Sequence, residues 1–288
     1  MKTDLHIHTY FSDGVFSPEK IVDTAINVGL GAIAITDHDN ILAYDIADKY
    51  IKENNLSDKI EIIRGIEVNT LYKDYEVHIL GYFMNPNDSD FQELIKNQQQ
   101  ARVKQTKEIL TLLNKKEGIK IKFEDIKKLV APGGSIGRPH IARAITSAGG
   151  TSNVMEAYSK YIHLNSPVYV QRKTVSPQDA VEIIYDAGGI PVIAHPHDLE
   201  SMAESLIKDL MNYGLRGIEA YHRKHSPAMV EYFSSMAEDL GLIVTGGSDF
   251  HAPNVLNGQI VLGKNFIPEW VYDKLIEEKK HLDMANAN

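Results

Sequence analysis

Histidine and aspartate recur at the ends of apolar runs in this sequence: Asp4-Leu5-His6-Ile7-His8, Thr36-Asp37-His38-Asp39, Ala194-His195-Pro196-His197 and Ser248-Asp249-Phe250-His251. Imidazole and carboxylate are ligands for divalent metals, and ions so held do hydrolytic chemistry. Side chains two apart on a strand point the same way, so His6 and His8 can face one ion. Asp13 follows in an Asp-Gly turn, Glu67 ends the run Ile62-Ile63-Arg64-Gly65-Ile66, and His78 stands near the start of another apolar run. Together His6, His8, Asp13, His38, Glu67, His78, His195, Asp249 and His251 make nine N/O ligands, enough for two to three ions with positions left for water or substrate. The mixture is intermediate in softness and suits Mn²⁺, Fe²⁺ or Zn²⁺ rather than Mg²⁺ or Ca²⁺.

Something must carry those residues to one place. Short apolar runs alternate with amphipathic stretches over 1–87 and again after 166. Ser17-Pro18 and Ser176-Pro177 read as helix starts, a cap followed by proline at the first helical position. Strands are predicted at Gly31 to Ile35, Lys59 to Ile66, Val77 to Phe83, Gly189 to Ala194, Gly217 to Tyr221 and Leu242 to Thr245. Strands alternating with helices predict parallel pairing, an α/β class, and ligands gathered at strand C-termini as in a (β/α) barrel. The stretch 88–165 breaks the rhythm: a long polar helix from about Asp88 to Lys116, then shorter helices around Ala131-Pro132-Gly133-Gly134. We read 88–165 as a mainly helical insertion that serves as a lid, and 1–87 with 166–288 as the barrel domain. The tail Met284 to Asn288 reads as frayed.

Composition narrows the partners. A net charge of −9 argues against an extended nucleic-acid surface or an anionic membrane, while a single nucleotide or RNA end stays open. The absence of cysteine excludes disulfides and thiolate ligands. No apolar run approaches membrane-spanning length and no signal-peptide pattern is visible, so the expectation is cytoplasmic.

In this order the motifs His-x-His, Ser-Asp-Gly, Thr-Asp-His-Asp, Gly-Ile-Glu, Ala-His-Pro and Gly-Ser-Asp-Phe-His resemble the PHP (polymerase and histidinol phosphatase) family over nearly the whole chain. The resemblance implies a distorted seven-stranded (β/α) barrel, a trinuclear metal centre and phosphoesterase activity by a metal-activated water. It implies His6, His8, Glu67 and Asp249 around a first ion, Glu67, His78 and His195 around a second, and Asp13, His38 and His251 around a third. The segment Gly137-Arg138-Pro139-His140, with Glu219-Ala220-Tyr221-His222 and His225-Ser226, is similar to the branch that acts on nucleoside 3′,5′-bisphosphates and RNA 5′ ends. Histidinol-phosphate phosphatase is the alternative. Arg138 and His140 are the expected phosphate contacts, since a guanidinium grips phosphate in two places and a helix start adds N–H donors. His222, His225, Lys173 and Arg172 are vaguer candidates, His197 an orienting group for the His195 loop, and His163 and His281 solvated surface.

Overall fold

The computed structural model describes the whole chain except residues 164, 255–257, 265–266 and 287–288. Seven strands form one sheet in sequential order: β1 Thr3–Ile7, β2 Ala32–Ile35, β3 Glu61–Tyr72, β4 Tyr75–Tyr82, β5 Ile190–Ile193, β6 Gly217–His222 and β7 Ile243–Gly247. The sheet curls until its first and last strands nearly close. Ile7 bridges Phe250 in parallel, and the His8 N–H donates to the Phe250 carbonyl at 2.9 Å. Gly247 permits this approach, because a Cβ there would lie 2.1 Å from that of His6. Asp4 pins the same seam by accepting from the Ser248 and Gly263 N–H groups.

Parallel pairing holds for β1–β2–β3 and for β5–β6–β7, but not throughout. β4 runs antiparallel to both β3 and β5. The reason is a tight hairpin: β3 continues past its expected end at Ile66 to Tyr72, and two residues, with Lys73 at φ 55°, return the chain as β4. Glu67 therefore stands inside a strand. The reversal also explains His78. In an antiparallel strand the early residues lie at the end of the barrel where the parallel strands finish, and His78 pairs with Asn69 there.

The helices are α1 Pro18–Asn27, α2 Leu42–Glu53, α3 Ser89–Glu117, α4 Phe123–Lys127, α5 Arg138–Ser147, α6 Val154–Ala157, α7 Pro177–Asp186, α8 Ala203–Leu210, α9 Pro227–Leu240 and α10 Trp270–Asn286. Three begin with Ser-Pro, and in each the serine oxygen accepts from the third residue's N–H, at Lys20, Asp179 and Met229. Asp88 caps α3, and Gly118, left-handed at φ 69°, ends it. The tail expected to fray is helical through Asn286, with residues 287–288 outside the description.

Two apolar clusters fill the barrel and its flanks, one centred on Ile66, Ile79, Val192 and Ile218, the other on Ile7, Ile21, Ile33 and Phe250. A third belongs to the helical stretch itself, where Leu113, Ile126, Ile141, Ile145 and Tyr161 pack together. Burial of this kind, about 25 cal/mol per Å² of apolar surface, gives the helices a core of their own. Among the described residues no helix is long and apolar enough to cross a membrane.

Candidate metal centre

The mouth of the barrel is a basin of imidazoles around one carboxylate. Glu67 is buried at its floor. Its Oε2 lies 3.3 Å from His6 Nε2, 3.2 Å from His8 Nε2 and 2.9 Å from His38 Nδ1. Its Oε1 lies 2.8 Å from His78 Nδ1 and 3.1 Å from His195 Nε2. Asp249 Oδ1 stands 3.4 Å from His8 Nε2 and 3.3 Å from His251 Nδ1. Asp13 reaches His251 Nε2 at 3.2 Å and His38 Nε2 at 4.0 Å. All nine ligand-type residues singled out in the sequence thus meet at one end of the barrel.

Their unmet bonding is the chief clue to their role. His6 Nε2, His8 Nε2, His38 Nδ1, Asp13 Oδ1 and Glu67 Oε2 are buried atoms that make no well-aligned hydrogen bond, although neighbours of the opposite kind stand 2.9–3.3 Å away. A buried polar atom left unmatched costs roughly 1–3 kcal/mol, more for a charged group, so five together argue for a cation that would satisfy them. Three overlapping groups could hold one: His6, His8 and Glu67; His38, Glu67 and His78; and His8, Asp13, His38 and His251. His8 and His38 each belong to two groups, a more shared arrangement than the resemblance implies. Burial alone would raise the Glu67 carboxyl, but His38, His78 and His6 outweigh it and hold the group well below its ordinary value. The basin is therefore built to keep its carboxylate ionised.

A layer of carboxylates behind the imidazoles orients them. Buried Glu219 lies 2.9 Å from His6 Nδ1 and accepts from the His195 N–H at 2.8 Å. Asp198 Oδ2 lies 2.9 Å from His195 Nδ1. Such partners fix ring orientation and leave the other nitrogen free for an ion. Asp37 is occupied elsewhere: it accepts from the Thr9 N–H, the Thr9 hydroxyl and the Ser12 hydroxyl, holding the loop that presents His8 and Asp13. The backbone is bent at the same places, with φ positive at Asp39 (50°), His195 (26°) and Asp249 (50°). Strain of this sort gathers at functional sites, where the surroundings enforce it.

Beside the basin, Asp39 occupies a different environment. Fully buried, it accepts from Arg102 Nε at 2.6 Å and from Gln98 Nε2 at 3.1 Å, with Arg172 Nη1 3.8 Å away. Burial would raise its carboxyl, but Arg102 and then Arg172 hold it below the usual range. Arg102 also donates to Asn69 Oδ1, turning the Asn69 amide nitrogen to His78 Nε2 at 2.6 Å. A charge on α3 is thus tied by hydrogen bonds to one of the basin's imidazoles. Asn40 Oδ1 accepts from the Leu42 N–H at the start of α2, leaving Asp39 to these partners.

Above the basin opens a cavity of about 730 Å³, lined by Asp13, His38, Glu67, His195, Asp249 and His251 below and by Arg138, Tyr158, Ser159 and His163 of the helical stretch above. Half-exposed Arg138 pairs with Glu76 at 2.9 Å and faces the opening. Lys224, which the sequence reading passed over, lines it too. His140 does not: it is buried, and its Nδ1 accepts from the Gly137 N–H at 2.9 Å, closing the first turn of α5. Lys173 lies apart, in a groove with Asp90 and Glu93, and His281 is exposed. His163 is exposed yet sits at the cavity's rim. His222 is buried 3.5 Å from Asp249, and His225 packs behind it.

The family model described as the PHP domain matches residues 4–173. The chain belongs to the PHP domain family. Among PHP-family relatives, a 5′-3′ exoribonuclease of Haemophilus influenzae is 32% identical over 93% of this chain and 98% of its own length. A 3′,5′-nucleoside bisphosphate phosphatase of Chromobacterium violaceum is 30% identical over 87% of both chains. A solved structure from Bifidobacterium adolescentis, a protein for which metal-dependent phosphoesterase activity has been suggested, superposes with a TM-score of 0.84 at 29% identity, over 95% of each chain. This chain is likewise a metal-dependent phosphoesterase of the PHP family. The residues meeting at the barrel mouth are of the kinds that such chemistry requires.

Proposed function

We propose that this phosphoesterase removes the 3′-phosphate of a nucleoside 3′,5′-bisphosphate, giving the 5′-monophosphate and inorganic phosphate, and that it also trims short RNA from the 5′ end. The observation that carries the reading is the pairing of the orphaned basin with a cavity that Arg138 and Lys224 help to line. Its volume of about 730 Å³ is in the range that takes a small organic ligand. The names of the Haemophilus and Chromobacterium relatives support the nucleotide class.

On this reading His6, His8, Glu67 and Asp249 hold one ion, Glu67, His78 and His195 a second, and Asp13, His38 and His251 a third. Divalent ions bound there, Mn²⁺, Fe²⁺ or Zn²⁺, would supply charge neutralisation for phosphoryl oxygens and a lowered pKa for water. The chain's own residues do the rest. Arg138, steadied by Glu76, grips a phosphate at the rim, and Lys224, which also lines the cavity, adds a point charge. Glu219 and Asp198 hold the imidazoles in place through their far nitrogens. The stretch 88–165 acts as a lid on the barrel formed by 1–87 and 166–288, since Arg138, Tyr158 and His163 all reach the cavity from it.

The test is a three-way assay of the metal-loaded protein with adenosine 3′,5′-bisphosphate, a short 5′-phosphorylated RNA and histidinol phosphate. Release of phosphate from the bisphosphate at a kcat/KM well above that for histidinol phosphate is expected. Turnover of histidinol phosphate alone would refute the nucleotide assignment.

A further inference from the structure

Three histidines outside the nine-residue set converge beside it. His197, on the short turn Pro196–Met202, and His222 and His225, at and just after the end of β6, each bring a nitrogen within 4.8 Å of the others. Where their hydrogens lie decides what the cluster can be. The Ala220 carbonyl only accepts, so His225 Nδ1, 2.7 Å from it, carries a hydrogen. Asp198 Oδ1 stands 3.0 Å from His197 Nε2, an ion-pair contact without hydrogen-bond alignment. In a neutral ring His225 Nε2 is then a bare lone pair, and it faces His197 Nδ1 at 3.0 Å, close enough to accept a hydrogen from it or to share a cation with it.

A shared proton would serve two rings. Here a third imidazole joins them: His222 is buried, and its Nε2, 3.5 Å from Asp249 Oδ2, makes no hydrogen bond. The spacing suits an ion as well, since two nitrogens about 2.0–2.1 Å from a tetrahedral Zn²⁺ stand roughly 3.3 Å apart. Each of the facing rings also has its far nitrogen beside a carbonyl or a carboxylate, the kind of neighbour that orients metal-binding histidines.

We propose that His197, His222 and His225 form an additional divalent-cation site, an all-imidazole site of the Zn²⁺ class with a fourth position open to water or an anion. Asp198 couples it to the basin, because one oxygen meets His197 and the other lies 2.9 Å from His195 Nδ1. The site does not depend on which phosphate ester is the substrate.

Cobalt(II) added to the metal-stripped full-length protein tests it. The His225→Ala protein should bind one equivalent fewer than the wild type. His197→Cys supplies a second, spectroscopic measure. Nδ1 is one bond beyond Cγ, so a cysteine sulfur falls close to the same point, and the chain has no cysteine of its own. A thiolate-to-cobalt charge-transfer band in the near ultraviolet should appear in His197→Cys and vanish when His225→Ala is added. Equal cobalt binding by wild type and folded His225→Ala overturns the proposal. So does a His197→Cys protein without the band, or a band that survives loss of His225. If His225→Ala does not fold, the presence or absence of the band in His197→Cys decides the matter.

Discussion

Glu67 and Asp39 are both buried carboxylates at the same end of the barrel, and they are neutralised by opposite means. Asp39 sits between two guanidiniums, which are permanently charged and have no lone pair to give. Glu67 sits among five imidazoles, each able to carry a proton or to surrender it and bind an ion. Guanidinium compensation is structural and final. Imidazole compensation is provisional, and it leaves buried atoms unmatched that a cation would satisfy. The contrast separates what holds the site together from what the site is for.

The sharpest way to break that contrast is to remove each charge in turn. Glu67→Gln should lower bound metal and phosphate-ester hydrolysis by more than the roughly 10–100-fold that loss of an outer partner costs. Metal analysis and initial rates check this, and a variant that kept its metal would place the ions elsewhere. Arg102→Leu should act on the fold instead. It strands Asp39 without its main partner, a loss of about 3–5 kcal/mol measurable as the urea midpoint of the metal-stripped protein. Arg102→Lys should not restore it, because one ammonium cannot reach Asp39, Asn69 and the Ile136 carbonyl together.

Glu219 offers an intermediate case, a carboxylate with a single imidazole partner. Glu219→Gln should weaken metal affinity by roughly 10–100-fold, read by competition with a chelator. It should also change the acid limb of stability. Burial would raise this carboxyl, but His6 beside it, together with His222 and His195, outweighs burial and lowers it from 4.5 to about 2. A depressed carboxyl contributes stability that is complete above 4.5 and is lost as pH falls through about 2. Thermal melts of the metal-stripped protein across that window should fall less steeply for Glu219→Gln than for wild type. The smallest effect is expected at the rim. Arg138→Ala should raise KM about tenfold, the equivalent of one charge-assisted hydrogen bond, with metal content unchanged.

The ionisable residues of the barrel mouth were legible in the sequence because such residues at the ends of apolar runs are costly unless they are used, and His6, His8, His38, His195 and Asp249 all stand there. Glu67 and His78 were legible as residues but not as geometry. No alternation of apolar and polar residues reveals that β4 runs backward, and this depends on a two-residue turn at Lys73. Arg102 and Gln98 were hidden for the opposite reason. They lie in a Gln- and Lys-rich helix that reads as solvated surface, yet both are buried against Asp39. A polar face that compensates a buried charge looks, residue by residue, like one that faces water. His140 misled in a related way, since the residue that caps a helix start is of the same type as one that contacts phosphate.

The seam between the first and last strands has a consequence for how the site comes into being. Asp4 and Ser248 meet there though 244 positions apart, and the basin draws ligands from both sides of that join. At about 5–20 residues per second, a ribosome finishes the His6–His8 strand some ten to fifty seconds before it makes Asp249. Throughout that interval the early histidines lack the partners that complete the basin. On the proposed assignment the first and third ions gain their last ligands, Asp249 and His251, only at the end of synthesis, and a chain cut short before β7 would lack both.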